Sequence, residues 1–139
     1  MRFVIFILIL FSIELHARQS DTTLIRALHK KAIGYFSTYP DSLLFYRDSS
    51  FRLAQRNQDV IGIIDGYIDL GIYHWVKGDY ADAIEAYNQA YQKSVSADSR
   101  EKLGNIYSNY AMVYSRFGDY PKPINYFLES LKLSAAQNR

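Results

Sequence analysis

Apolar and small residues recur at three- and four-residue spacing through most of the chain after residue 21. That spacing places them on one face of a helix, which must then be buried against a neighbour. Tyr67, Leu70, Gly71 and His74 form one such face, and Ala83, Ile84, Tyr87, Ala90 and Tyr91 form another. The pattern breaks at Tyr39-Pro40-Asp41, Gly78-Asp79 and Gly118-Asp119. It predicts helices at about 22–37, 42–57, 60–77, 80–96, 99–117 and 121–136. Gly78 and Gly118 can take the left-handed conformation that ends a helix. Asp79 and Asp119 can cap the following helix by accepting its orphan backbone N–H groups. In the first break Pro40 stops the helix and Asp41 is the expected cap.

The breaks are themselves periodic. Gly78-Asp79-Tyr80 returns as Gly118-Asp119-Tyr120, 40 residues later. Upstream, Tyr67-x-x-Leu70-Gly71-x-x-His74 answers to Tyr107-x-x-Tyr110-Ala111-x-x-Tyr114 at the same offset. Downstream, Ala83-Ile84-x-x-Tyr87-x-x-Ala90-Tyr91 answers to Pro123-Ile124-x-x-Phe127-x-x-Ser130-Leu131. A fainter copy precedes them as Leu43-Leu44-x-x-Arg47-x-x-Ser50-Phe51. Three units result, at about 21–58, 59–97 and 98–137. A helical unit of this size cannot bury its apolar face alone, so stacking of neighbours must supply the core.

These residues resemble the tetratricopeptide repeat, whose pattern runs Trp-x-x-Leu-Gly-x-x-Tyr and then Ala-x-x-x-Phe. In the middle unit Tyr67 stands for the Trp, Leu70 and Gly71 match, His74 stands for the Tyr, and Ala83 and Tyr87 follow. The third unit matches through Tyr107, Tyr110, Ala111, Tyr114 and Phe127, with Pro123 at the small Ala. The first unit has Leu43 and Arg47 at the Ala and Phe places. The resemblance implies an all-α fold, a right-handed α-solenoid of about three helix-turn-helix repeats over residues 18–139. The period near 40 exceeds the usual ~34 and resembles repeats of bacterial sensory and regulatory proteins. Pro40-Asp41-Ser42-Leu43-Leu44-Phe45-Tyr46 is similar to the opening repeats of exported regulators from the Bacteroidetes group, which carry a signal, a repeat domain outside the inner membrane, and then a membrane helix and output domain.

The N-terminus follows a different rule. Arg2 precedes an unbroken apolar run from Phe3 to Phe11, and Ile13 extends it past Ser12. As a helix this run is about 16 Å long, against a bilayer core of about 30 Å. It is too short to span and matches the core of a secretory signal. Ala17 offers a small residue for cleavage, so residues 1–17 are read as a signal peptide. The mature chain then begins near Arg18, without a membrane span, in the periplasm or outside the cell. A buried N-terminal helix is the alternative.

Composition narrows the function. The chain of 139 residues has a formal net charge of +2, and no basic run exceeds Lys30-Lys31. Nucleic-acid binding needs a concentrated basic footprint, so no such partner is expected. The absence of cysteine removes disulfides, thiolate metal sites and thiol nucleophiles. With 13 Tyr and 8 Phe against one Trp, the chain suits a thin layered fold, in which tyrosine rings fill the core while hydroxyls reach water.

Candidate chemistry is sparse. His16, His29 and His74 are the histidines, and none is expected to join two carboxylates in a three-ligand metal set. His74 is expected to pack as the family Tyr does. Asp65 and Asp69 share a helical face and could do acid–base work, but no nucleophile or oxyanion donor accompanies them; an exposed acidic patch is the expectation. Gly62, Gly66 and Gly71 lie at packing intervals rather than in a phosphate-binding turn. No cofactor and no enzymatic activity are expected.

The family lines a concave groove with the first helix of each pair. That implies Ile25, Leu28, His29, Ala32 and Tyr35 in the first unit. It implies Asp65, Ile68, Asp69, Ile72 and Trp75 in the second. In the third it implies Asn105, Ser108, Asn109, Met112, Ser115 and Arg116. The first two units lack the lysines of a clamp for a terminal carboxylate. A mixed groove with apolar Ile68, Ile72 and Met112 suits an extended peptide or an amphipathic helix. The expected function is therefore a non-catalytic protein-binding module of an exported protein, the sensory part of a signalling protein. The alternative is an assembly protein that self-associates through its last helix, where Leu128 and Leu133 would be exposed.

Overall fold

The computed structural model describes residues 2–116 and, beyond them, positions 125, 128, 129 and 132. It contains α1 (Arg2–Gly34), α2 (Pro40–Arg56), α3 (Val60–Lys77), α4 (Tyr80–Ser96) and α5 (Arg100–Arg116). No strand occurs among the described residues. The bounds of α3 and α4 coincide with the predicted 60–77 and 80–96. Of the predicted helix 121–136 only positions 125, 128, 129 and 132 are described, all four helical; Gly118, Asp119, Phe127, Leu131 and Leu133 lie outside the described residues.

Two expectations about the first unit need correction. The first helix does not start near residue 22; α1 begins at Arg2 and runs for 33 residues. No Gly or Pro interrupts the chain from Arg2 to Ile33, so nothing stops the helix. Ile7 and Leu15 on this extension are 50% and 60% exposed, and no helix among the described residues is long and apolar enough to cross a membrane. Asp41 is not the cap of α2. Tyr39 holds that position, Pro40 opens the helix, and Asp41 sits in its first turn. Proline fits there because its fixed φ is already helical and its missing N–H would have been unpaired anyway.

The links show how the pairs are joined. Gly78 ends α3 at φ 85°, a conformation that costs glycine little. Around it, Asp79 N donates to His74 O at 2.9 Å and Ala83 N to Asp79 O at 3.0 Å. Asp79 occupies the cap position of α4, yet its side chain makes no capping hydrogen bond. At α3 the carboxylate of Asp59 does cap, accepting from Gly62 N at 3.0 Å. Between pairs, Gln58 and Asp98 both take positive φ, 55° and 49°. Each is followed by a bond five residues back, Asp59 N to Ala54 O and Ser99 N to Ser94 O, both 2.9 Å. The two turns are therefore one motif, repeated 40 positions apart.

The helices form two layers. α1 packs on α2 and α3 on α4, while α2 packs on α3 and α4 on α5. α3 also touches both α1 and α5, but α2 and α4 do not meet. Close approach in the first layer and separation in the second mean that the array curves toward α1, α3 and α5. It is an all-helical repeat solenoid with these three helices on its inner side.

Close packing depends on glycine at three places along α3. A Cβ on Gly71 would overlap the ring of Tyr87, and one on Gly66 would overlap Phe51. A Cβ on Gly62 would fall 2.8 Å from Ala54 Cβ and 2.9 Å from Ile25 Cγ2. Tyr87 is fully buried in a core with Ile64, Ala83, Ala90, Ile106 and Val113. Burying its ring removes a large apolar surface from water, a gain offset in part by its hydroxyl, which is sealed from solvent without a hydrogen-bond partner among the described residues. Tyr87 stacks edge-on against Tyr110 at 5.8 Å, so the tyrosines of the repeat do pack between helices. In the first unit Arg47 stands in the aromatic's place. It is buried, donates from Nε to Gly66 O at 2.7 Å, and lies 4.2 Å over the Phe51 ring.

Candidate functional site

The inner side of the array carries a concavity of about 340 Å³, lined by His29, Ile33, Asp65, Ile68, Ile72, Lys102, Asn105, Ser108 and Asn109. It draws on α1, α3 and α5 together. Of the residues assigned to the groove from sequence, His29, Asp65, Ile68, Ile72, Asn105, Ser108 and Asn109 meet here. Trp75, Met112 and Arg116 lie beyond it, on the C-terminal turns of α3 and α5. There Arg116 places its guanidinium 5.7 Å from the Trp75 ring, and Met112 is 37% exposed.

Depth sorts these residues. Asp65, Ile68, Asp69 and Asn109 are buried, Ile72 and Ser108 half-buried, and Asn105 exposed. Ile68 belongs to the core and Ile72 packs against it, so apolar contact in the groove rests on a rigid floor. In the first unit, Ile25 and Ala32 are fully buried, while Leu28, His29 and Tyr35 are half-buried.

The expected exposed acidic patch is not found: Asp65 and Asp69 are only 3% and 1% exposed. Each has a partner side chain on a neighbouring first helix. Lys102 Nζ on α5 lies 2.5 Å from Asp65 Oδ1, and His29 Nδ1 on α1 lies 2.8 Å from Asp69 Oδ2. A carboxylate can be buried only when its charge is answered in this way. Burial pushes the Asp69 carboxyl above the usual carboxylate range, although the hydrogen bond and charge of His29 oppose it. For His29, burial lowers the value, but hydrogen bonding to Asp69 and the charges of Asp69 and Asp65 outweigh it and leave it raised. Neither carboxylate stands ready as a free acid or base. Lys102 is the cation that sequence reasoning missed. It sits one period beyond Gly62, and only the stagger between α3 and α5 aims it at Asp65.

One cluster was not assembled from the sequence. His74, Asp79 and Asp82 bring potential ligand atoms within 4.8 Å of one another. The turn at Gly78 folds the start of α4 back over the last turn of α3, which the spacing of these residues along the chain does not reveal.

The chain matches the family model described as tetratricopeptide repeat over residues 62–136, more than half its length. No curated protein and no solved structure matches it.

Proposed function

This chain belongs to the tetratricopeptide repeat family, whose members generally mediate protein–protein interaction without catalysis, and we propose that it is the interaction module of an exported protein, binding a peptide or helix along α1, α3 and α5. The observation that supports this reading is the concavity itself. It offers half-buried Ile72 beside Asn105 and Ser108, an apolar seat with polar groups that can pair with a partner's backbone. Beneath it Asp65 pairs with Lys102 and Asp69 with His29, so both buried carboxylates have a partner within the fold. Export through the N-terminal apolar run, and service as the sensory part of a signalling protein, complete the proposal.

A test starts from a peptide selected on the chain from a displayed library. Changing Ile72 and Met112 together to Asp should weaken its binding at least tenfold, since a few central residues carry most interface energy, while the helical circular dichroism spectrum persists. Normal affinity in the double variant would place the site elsewhere. A second reading, self-association through the last helix, draws on Leu128, which is 49% exposed. A molecular mass that stays monomeric as concentration rises would remove it.

A further inference from the structure

We propose that His74, Asp79 and Asp82 form a binding site for a divalent transition-metal ion of the zinc type, at the link between α3 and α4. One atom from each residue lies within 4.8 Å of the other two. One nitrogen and two carboxylate oxygens are ligands that Zn²⁺ accepts, at about 2.0–2.2 Å each, leaving a position for water or for a ligand from a partner. Magnesium and calcium prefer oxygen throughout, so the imidazole argues for the transition metal.

Three features set this cluster apart from a chance group of surface acids. His74 Nδ1 is sealed from solvent and has no hydrogen-bond partner among the described residues. Asp79 Oδ2 is 3.8 Å away, beyond hydrogen-bond range and a few tenths of an ångström wider than the roughly 3.3–3.6 Å between two ligands of one tetrahedral zinc ion, a gap that a small side-chain rotation closes. Asp79 stands at the cap position of α4 but leaves the capping role unused, whereas Asp59 at the matching place on α3 performs it. The Asp79 carboxylate is thus free of a structural duty and turned toward the imidazole. Finally, the backbone fixes all three positions. The bond from Asp79 N to His74 O and the left-handed Gly78 lock the turn, and Asp82 follows within the first turn of α4. Ligands held by hydrogen-bonded backbone lose little freedom on binding.

The other two links lack the set. Forty residues upstream the matching positions hold Gly34, Tyr39 and Ser42, and forty downstream they hold Tyr114, Asp119 and Lys122. The site would staple one helix pair, on the far side of α3 from the Lys102 pair. Beside it opens a concavity lined by Tyr67, Leu70, His74, Asp82 and Glu85, through which water or an outside ligand can reach the ion.

The test is titration of the full chain, stripped with a chelator, with Zn²⁺ by isothermal titration calorimetry. One equivalent should bind, and the thermal midpoint should rise as Zn²⁺ is added. His74→Tyr should abolish the heat. Asp82→Asn, an exposed change, should weaken binding by more than the 10–100-fold that loss of an outer-shell partner costs. Both variants should keep the wild-type circular dichroism spectrum, and His29→Gln should bind normally. No saturable heat, wild-type affinity in Asp82→Asn, loss of the heat in His29→Gln, or equal affinity for Mg²⁺ would each overturn the proposal.

Discussion

His29 Nδ1 lies 2.8 Å from Asp69 Oδ2, and the two residues are 40 positions apart in the chain. That separation is one repeat. The contact joins equivalent positions of neighbouring first helices and ties α1 to α3 beneath the groove. It also makes stability respond to pH. The folded-state value of His29 lies above its ordinary 6.5, so the folded chain holds a proton that the unfolded chain releases. The contribution of His29 protonation is complete below pH 6.5 and is lost as pH rises through the higher folded value. Replacing His29 with Gln should therefore lower the thermal midpoint more at about pH 6 than at about pH 9. An equal loss at both would show that the pair does not titrate as described.

Gly71→Leu should destabilise the fold by about 2 kcal/mol or more, within the usual range for overpacking or above it. A Cβ alone already meets the fully buried Tyr87 ring, and neither helix can withdraw without opening the α3–α4 contact. The urea midpoint measures the effect; an unchanged midpoint would refute the close approach of these helices.

Arg47→Ala should cost roughly 2 kcal/mol, the scale of a hydrogen bond to a charged group. The change removes the bond from Nε to Gly66 O and the guanidinium that covers Phe51. Denaturant unfolding again provides the readout, and a loss below about 0.5 kcal/mol, typical of an ordinary surface change, would mean that Arg47 is replaceable by water.

The repeat was legible because its markers are chemical. Gly78 ends α3 in a left-handed conformation that costs glycine least, and Tyr87 pairs with a glycine that leaves it room. The links at Gln58 and Asp98 were not legible as one motif, because neither residue is glycine although both are left-handed. The groove could be drawn from the pattern only as a stripe along each first helix. Its depth, and the pairing of Asp65 and Asp69 with Lys102 and His29, depend on how far one helix slides along the next. No single-helix periodicity contains that stagger. The cluster at His74 was missed for a related reason, since a reversed chain direction brings Asp79 and Asp82 back beside it.

The central claim is that the inner layer of α1, α3 and α5 is the binding surface. The most direct measurement is a map of backbone amide shifts in ¹⁵N-labelled protein, titrated with a peptide selected on the whole chain. The account predicts that the largest shifts fall at Ile72, Asn105, Ser108 and Asn109, with the outward residues of α2 and α4, such as Arg52 and Gln92, unmoved. Shifts confined to α2 and α4 would contradict it.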